Sequence, residues 1–357
     1  MRQTLARIIL LRTNVRFRIG FAAPLTGPQS IVGLPMLRVV EMAVDDAVRS
    51  GVELDVKAVD DDADERTAAK VAKSLVDDPE VIAVVGHKNS GPSGAGAPVY
   101  AEAGLAQVTQ CSTDNALSRS GWKTFFRLCA DNERQAAVAA EFAHARMPDA
   151  HAVAVHDGTD YGRPLVHAFA QRLEALSKRA VPIYSMAVGQ EDFTELASKI
   201  RDADLIDLGA TEIESSKLMI ALRAAGSKAQ VMSSEGGPDN PITQLAGVAG
   251  EGSIHTYAGS DPSATPASRA LLERCRREIG ETPSYLVECY DAVNVIVEAL
   301  RTGATSRAEV VDAIAVIDIE GLASRIRFAG NGDRIDAPVS LWQVMGGRMV
   351  ALEPASA

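Results

Sequence analysis

Residues 81–98, VIAVVGHKNSGPSGAGAP, combine the features that determine the fold class of this chain. An apolar run of strand length is followed by a tight turn, then by Ser90 and Pro92, and proline is tolerated in the first turn of a helix. A helix start leaves about four backbone N–H groups without partners and carries partial positive charge, and a serine commonly caps it. The stretch predicts a strand–turn–helix unit that could hold a carboxylate or phosphate at Ser90, although ordinary α/β turns share the pattern.

The glycines of this stretch do not match the motifs of enzymes. Gly91, Gly94 and Gly96 lack the G-x-G-x-x-G spacing of dinucleotide-binding loops, and Lys88 precedes the glycines instead of following them as in a P-loop. Ser93 is followed directly by Gly94, which rules out the G-x-S-x-G elbow of hydrolases. We therefore expect a binding protein that is not an enzyme and needs no cofactor.

Composition narrows the possible partners. The 357 residues suggest two domains, and 36 basic against 47 acidic residues give a net charge of −11, which argues against nucleic acid or an anionic membrane. The four cysteines have no C-x-x-C spacing, although Cys275 and Cys289 fall on successive predicted helices and could pair. The histidines form no H-E-x-x-H motif, and the acidic run at 60–65 lacks the glycine of calcium loops, so no metal is expected.

The amino terminus shows no readable export signal. Arg2 and Arg7 are followed by a short apolar run at 8–11 and then by Arg12, whereas a signal peptide needs about 7–15 apolar residues and a small-residue cleavage site. Either the protein stays in the cytoplasm, or another start codon exports it.

Strand and helix patterns alternate along most of the chain. Short apolar runs predict strands at 17–21, 54–59, 81–85, 152–155, 205–208 and 231–232. Amphipathic stretches between them predict helices at 33–50, 65–77, 132–146, 161–177, 192–202, 213–225 and 265–279. This alternation predicts parallel sheets with helices on both faces. Helices at 284–302 and 306–314 then precede short strands at 325–328, 339–345 and 348–352, so we expect the chain to return and complete an earlier sheet.

Motifs distributed over residues 16–351 carry a family resemblance. In chain order they are IGFAAPLTGP at 19–28, VGHKNS at 85–90, QVTQCST at 107–113, HDGTDYG at 156–162, SEG at 234–236 and YDA at 290–292. The chain resembles the type I periplasmic binding proteins, most closely the leucine/isoleucine/valine-binding branch of branched-chain amino acid transport. The resemblance implies an α/β fold of two doubly wound parallel-sheet lobes joined by a three-segment hinge. It places the first lobe at 16–133 plus 259–331, the second at 134–258 plus 332–357, and the ligand cleft between them.

The resemblance also implies a ligand site. Ser90 matches the family serine that holds the ligand's α-carboxylate, a role that the helix start predicts independently. Cys111, through its backbone, and Thr113, through its hydroxyl, match the loop that contacts the carboxylate and ammonium. Glu235 matches the glutamate that pairs with the ammonium, and Tyr161 matches a tyrosine of the second lobe. Alternatively, Glu235 is a solvated loop acid and Tyr161 is a packing residue at the start of a helix.

Two positions depart from the family pattern. Val32 stands where branched-chain amino acid binders often carry an aromatic residue, and residues 209–212, GATE, stand where they carry tyrosines. The side-chain pocket, with Val32, Thr211 and Glu212 as candidates, is therefore altered, whereas the part that recognises the amino acid backbone is retained. Glu212 could face a polar or cationic group, or be a surface acid favoured by a helix dipole.

We therefore expect the solute-binding component of an ABC importer, which closes around an amino acid or similar small polar solute and delivers it to a membrane permease and its ATPase. The family implies a periplasmic location, and we expect a monomer. A cytoplasmic sensor of the same fold, responsive to amides or amino acids, is the alternative that the missing export signal favours.

Overall fold

The computed structural model describes residues 17–352. The export-signal interpretation of residues 1–15 and the outer ends of the two expected lobes, residue 16 and residues 353–357, lie outside this range. Across the described part of the chain, no helix has both the length and the apolar character needed to cross a membrane.

The amino-terminal part of the chain forms a five-stranded sheet in which all neighbours are parallel. Its strands β1–β5 are Phe17–Ala23, Leu54–Asp60, Val81–Gly86, Ala106–Thr109 and Phe125–Arg127, in the spatial order β2-β1-β3-β4-β5. Helices α1–α4, which follow the first four strands in turn, are Ser30–Arg49, Glu65–Val76, Ser90–Glu102 and Asn115–Arg119. Strand β3 is buried at every position, as expected for a central strand of a parallel sheet.

A second sheet, of seven strands, takes most of the following chain. Strands β6–β10, which pair in parallel, are Ala152–His156, Ile183–Ser185, Leu205–Gly209, Gln230–Ser233 and Ile254–Tyr257. Helices α5–α9 are Asn132–Arg146, Gly162–Ser177, Thr194–Ile200, Glu212–Ala224 and Ile242–Leu245, and a 3₁₀ turn spans Gly247–Gly250. All six strands and all seven helices predicted before residue 280 are present, the seventh helix being Pro266–Glu278 (α10).

The last part of the chain contributes to both sheets. Helices α11 and α12, Leu286–Arg301 and Arg307–Ala315, pack against α1, β3 and β4 of the first sheet. Strands β13 and β14, Ser340–Met345 and Arg348–Leu352, extend the second sheet: β13 pairs antiparallel with β10, and β14 pairs antiparallel with β13. The predicted return to an earlier sheet is therefore confirmed for these two strands. The strand predicted at 325–328 does not join an earlier sheet. It is β12 (Arg325–Arg327), which pairs antiparallel with β11 (Asp318–Glu320) in a separate two-stranded sheet.

Helices cover both faces of each sheet. In the first sheet, α1 and α11 enclose the main core on one face, and residues of α2 and α3 such as Leu75 and Tyr100 form a smaller core on the other. In the second sheet, α7 and α8 cover one face and α5 and α6 the other. This is the doubly wound, two-lobed α/β architecture predicted from the sequence.

Three chain segments pass between the two sheets and are hydrogen-bonded to one another. The first follows β5, the second follows β10, and the third precedes β13. The N–H of Ala130 donates to the carbonyl of Ala258 at 2.9 Å, and that of Arg127 donates to the carbonyl of Gly332 at 2.9 Å. The N–H of Arg334 donates back to the carbonyl of Arg127 at 3.1 Å. The three segments thus form one connection between the lobes.

Arg127 anchors this connection with a fully buried guanidinium group. Its Nε donates to Asp333 Oδ1 in the third segment at 3.0 Å. Its Nη1 donates to the carbonyl of Asp114 at 2.8 Å, and its Nη2 donates to Ser118 Oγ at 3.2 Å. One side chain therefore ties the end of the first sheet to helix α4 and to the third crossing segment.

Replacing this side chain is expected to destabilise the protein strongly. Arg127→Met should lower the free energy of unfolding by about 3–5 kcal/mol, because it leaves buried partners of the guanidinium without a donor. Urea denaturation measures the change. Arg325→Met is the control, because its ion pair with Asp318 is exposed and should contribute less than about 1 kcal/mol. Similar losses in the two variants would contradict the anchoring role.

Candidate functional site

The carboxyl ends of strands from both sheets meet at one cleft, where open α/β sheets bind their ligands. The cleft narrows to a cavity of about 30 Å³, which has room for about two water molecules. Loops after β3 and β4 form its first side, and loops after β6, β8 and β9 form its second. The side chains that line it are Lys88, Asn89, Ser90, Cys111, Tyr161, Thr211, Glu212 and Glu235.

The cavity brings together six of the eight residues proposed from the sequence. Thr113 and Val32 are not on its wall. Thr113 is fully buried, its carbonyl accepts from the N–H of Asn132 at 2.8 Å, and its hydroxyl has no hydrogen-bond partner among residues 17–352. Val32 packs into the core between the first sheet and its helices. A larger groove of about 700 Å³ lies at the opposite edge of the second sheet, and none of the proposed residues lines it.

The helix start at Ser90 differs in one respect from the sequence prediction. Asn89, not Ser90, is the N-cap residue of α3, and its side chain makes no capping bond. Ser90 is instead the first helical residue, nearly buried, and its Oγ accepts from the N–H of Asp114 at 3.3 Å. The first turn of α3 is therefore left without a side-chain cap at the wall of the cavity, as an anion-binding helix start requires.

Cys111 contributes a protonated thiol to the cavity wall. Burial raises the pKa of this thiol well above its usual value. Its Sγ donates to the carbonyl of Lys88 at 3.3 Å. Cys275 and Cys289, whose pairing the sequence left open, are both free buried thiols, as is Cys129.

The second side of the cavity is built by a close approach of two glycines. A Cβ on Gly162, at the start of α6, would lie only 2.1 Å from the carbonyl oxygen of Gly209, at the end of β8. This contact brings Tyr161, which directly precedes Gly162, and Thr211, two residues after Gly209, to the same cavity. Tyr161 OH donates to Glu235 Oε1 at 2.9 Å, and Tyr285 OH, from the first-sheet side, lies 3.4 Å from the same oxygen.

Lys88 and Asn89 are the lining residues that the sequence analysis did not propose, and Lys88 is the charged one. It is 8% exposed, and its Nζ donates to Gln29 Oε1, which also accepts from Asn89 Nδ2 at 3.0 Å. Burial lowers the pKa of Lys88, but the carboxylates of Glu212 and Glu235 outweigh this effect and the pKa lies above its usual value. The sequence feature that could have identified Lys88 is its position as the single cation between a buried strand and a helix start.

Comparisons with known proteins show the family of the chain. Residues 16–348 match the sequence profile of the family described as "Periplasmic binding protein". The chain belongs to this family. Leu/Ile/Val-binding protein homolog 1 of Brucella melitensis is 28% identical over 320 residues, which are 86% of each chain. These relatives place the chain in the branched-chain amino acid branch of the type I periplasmic binding proteins, whose members are binding proteins.

Solved structures share the fold. A leucine binding protein, LivK, from Thermotoga maritima has a TM-score of 0.87 at 24% identity, covering 94% of this chain and 98% of that one. A solute binding protein from R. palustris, in complex with benzoate, has a TM-score of 0.84 at 17% identity, covering 94% and 95%. Because one fold accommodates such different ligands, the side chains in the cavity must decide what this periplasmic binding protein holds.

Glu235 is an acid of the cavity with a raised pKa. Burial raises its pKa from 4.5 to about 7, and the nearby carboxylate of Glu212 adds to the shift. Lys88 and the hydroxyls of Tyr161 and Tyr285 act in the opposite direction. Its backbone has φ of +65°, a conformation that is uncommon for residues other than glycine. The fold therefore keeps an acid here at a cost in stability.

Glu235→Gln should stabilise the ligand-free protein at high pH. Because the folded-state pKa is raised, the stability that protonated Glu235 contributes is complete below pH 4.5 and is lost as the pH rises through about 7. The glutamine does not titrate, so the variant should gain up to about 3 kcal/mol at pH 8 and almost nothing at pH 4.5.

Chemical unfolding at the two pH values measures this difference. Glu195→Gln, an exposed first-turn acid of α7, is the control and should leave the pH dependence unchanged. A Glu235→Gln variant with the wild-type pH dependence would contradict the assignment.

Proposed function

We propose that this periplasmic binding protein is the solute-binding component of an ABC importer and that it holds an amino acid, or a similar small polar solute, in the cleft. The observation that carries the proposal is the pairing of an uncapped helix start at Ser90 with the partly buried acid Glu235 across one cavity. These two features complement the α-carboxylate and the α-ammonium of a zwitterion.

The first side of the cavity suits the carboxylate. The backbone N–H groups at the start of α3 and the Ser90 hydroxyl supply hydrogen-bond donors, and the helix dipole favours negative charge there. Lys88 adds a full positive charge at the same wall. Thr113, two residues beyond Cys111 in the adjacent loop, lies off the cavity wall, so its predicted contact with the ligand is not part of this proposal.

The second side suits the ammonium. Glu235 already accepts from Tyr161 OH on one oxygen, and an ammonium group would supply a charged donor to the carboxylate. Charge-assisted hydrogen bonds of this kind are about twice as strong as neutral ones. The same ammonium would favour the ionised acid and so offset the desolvation that raises the pKa of Glu235.

Ligand binding would act through the approach of the two lobes, taken as residues 16–133 plus 259–331 and 134–258 plus 332–357. Contacts already join them near the site: Thr282 Oγ1 donates to Asp239, and Tyr285 OH lies near Glu235. A ligand that touches both sides favours the closed arrangement because its contacts with the second side exist only there. A permease with its ATPase would receive the closed, loaded protein in the periplasm.

Thermal unfolding with a ligand panel tests the proposal directly. A ligand that binds only the native state stabilises it by RT ln(1 + [L]/Kd), about 2.7 kcal/mol at one hundred times Kd. We expect at least one amino acid or short amide to raise the melting temperature of protein freed of copurified solute. No shift with the whole panel would contradict a solute-binding role.

Substitution of Ser90 tests the carboxylate position. Ser90→Ala removes one donor but leaves the backbone N–H groups, so affinity for the amino acid should fall about five- to thirtyfold, or 1–2 kcal/mol. Ser90→Asp should lose more, because its charge repels the ligand's carboxylate. Isothermal titration with the acid and its amide measures both. Ser74→Ala, on the exposed face of α2, is the control. Unchanged affinity in Ser90→Asp would place the carboxylate elsewhere.

A further inference from the structure

The charges on the cavity wall do not balance. Lys88 is the one cationic side chain among the lining residues of the described chain, and Glu212 and Glu235 are the two anionic ones. Their formal sum is −1. No salt bridge at contact distance joins Lys88 to either acid within residues 17–352, and its Nζ donates to Gln29 instead. Lys88 therefore attracts both carboxylates across the cleft without forming a direct ion pair with either.

Glu212 is the acid without a local partner. It is 4% exposed, and its Oε1 has no hydrogen-bond partner among the described residues. Glu214, two positions further along the same helix turn, accepts from the N–H of Gly189 and from Thr211 Oγ1. The protein thus supplies a hydrogen-bond donor to each carboxylate oxygen of Glu214, but none to Oε1 of Glu212 among the described residues.

Helix capping does not account for Glu212. An acid in the first turn of a helix is favoured by the dipole, but comparable acids such as Glu65, Glu133 and Glu195 lie exposed on the surface. Burial of a charged group without a paired partner is costly, and nothing in the dipole argument requires it. The position of Glu212 on the cavity wall indicates that its partner comes from the cavity.

We infer that the ligand carries a second cationic group, beyond its α-ammonium, and that Glu212 binds it. This inference rests on the proposed function. Each charge then has one counterpart: the α-carboxylate faces Ser90 and Lys88, the α-ammonium faces Glu235, and the side-chain cation faces Glu212. A ligand of net charge +1, a basic amino acid, complements the site charge of −1.

The residue types of the lining favour a charged side chain over a branched aliphatic one. None of the eight lining residues is aliphatic, and the cavity presents ionic and polar groups besides the Tyr161 ring and the Cys111 thiol. Pockets for apolar ligands are built mainly from apolar side chains. Leucine in this cavity would place methyl groups against Glu212 and leave the carboxylate buried without a donor.

Isothermal titration of the wild-type protein at pH 7.5 with arginine, lysine, glutamine and leucine tests the inference without any variant. We expect arginine or lysine to bind at least about tenfold more tightly than glutamine or leucine, since a hydrogen bond to a charged group is worth at least that factor. Preferential binding of leucine or glutamine would overturn the inference and leave the proposed function standing. No binding of any amino acid would overturn both.

Glu212→Gln then assigns the preference to this side chain. The variant should lose about tenfold or more in affinity for the basic amino acid and keep its affinity for glutamine within about threefold. Glu195→Gln, which removes the same charge from the first turn of the exposed helix α7, should change neither. Retained glutamine binding shows that the variant is folded, and Glu212→Asp, which keeps the charge, should retain the preference for the basic ligand. An unchanged ratio of basic to neutral affinity in Glu212→Gln would overturn the role of Glu212.

Discussion

The hydrogen bonds among the three crossing segments are the constraint on which the rest of the molecule depends. Arg127 is buried where the first sheet ends, and it reaches both helix α4 and the third crossing segment. Because these segments are bonded side by side, the carboxyl edges of the two sheets are held facing each other. Neither sheet alone contains a complete site, so the geometry of the cleft is set by its connection as much as by its lining.

The strands with continuous apolar runs were predictable from sequence, and the shorter mixed strands were not. Val81–Gly86 is buried along its whole length, which is what a run of apolar residues in a parallel sheet indicates. Phe125–Arg127 and Ile254–Tyr257 contain a buried arginine and a buried histidine. Their strand character comes from pairing with neighbours and from the networks that satisfy those polar groups, which no local pattern shows.

Site residues that lie in recognisable motifs were predictable from sequence. Those that reach the site only because the fold buries their side chains there were not. Ser90, Tyr161 and Glu235 follow strand ends in recognisable segments, and the structure places all three on the cavity. Lys88 was passed over because the sequence does not show that its long side chain turns inward toward Gln29. Val32 was considered because of its position in the resemblance, yet α1 begins at Ser30 and directs Val32 into the core.

The electrostatics of the cleft divide between its two sides. The cation, Lys88, comes from a loop of the first sheet, and the anions come from the second, Glu212 from the start of α8 and Glu235 from the loop after β9. Opposite charges on facing surfaces attract more strongly as water leaves the gap, while desolvation opposes their approach. The size of the cavity, about 30 Å³ in this arrangement, bears on how a solute enters and leaves it. No amino acid passes through such a space, so every exchange of solute requires the lobes to part. The bending of the crossing segments would then set an upper limit on how fast a solute enters or leaves the cleft.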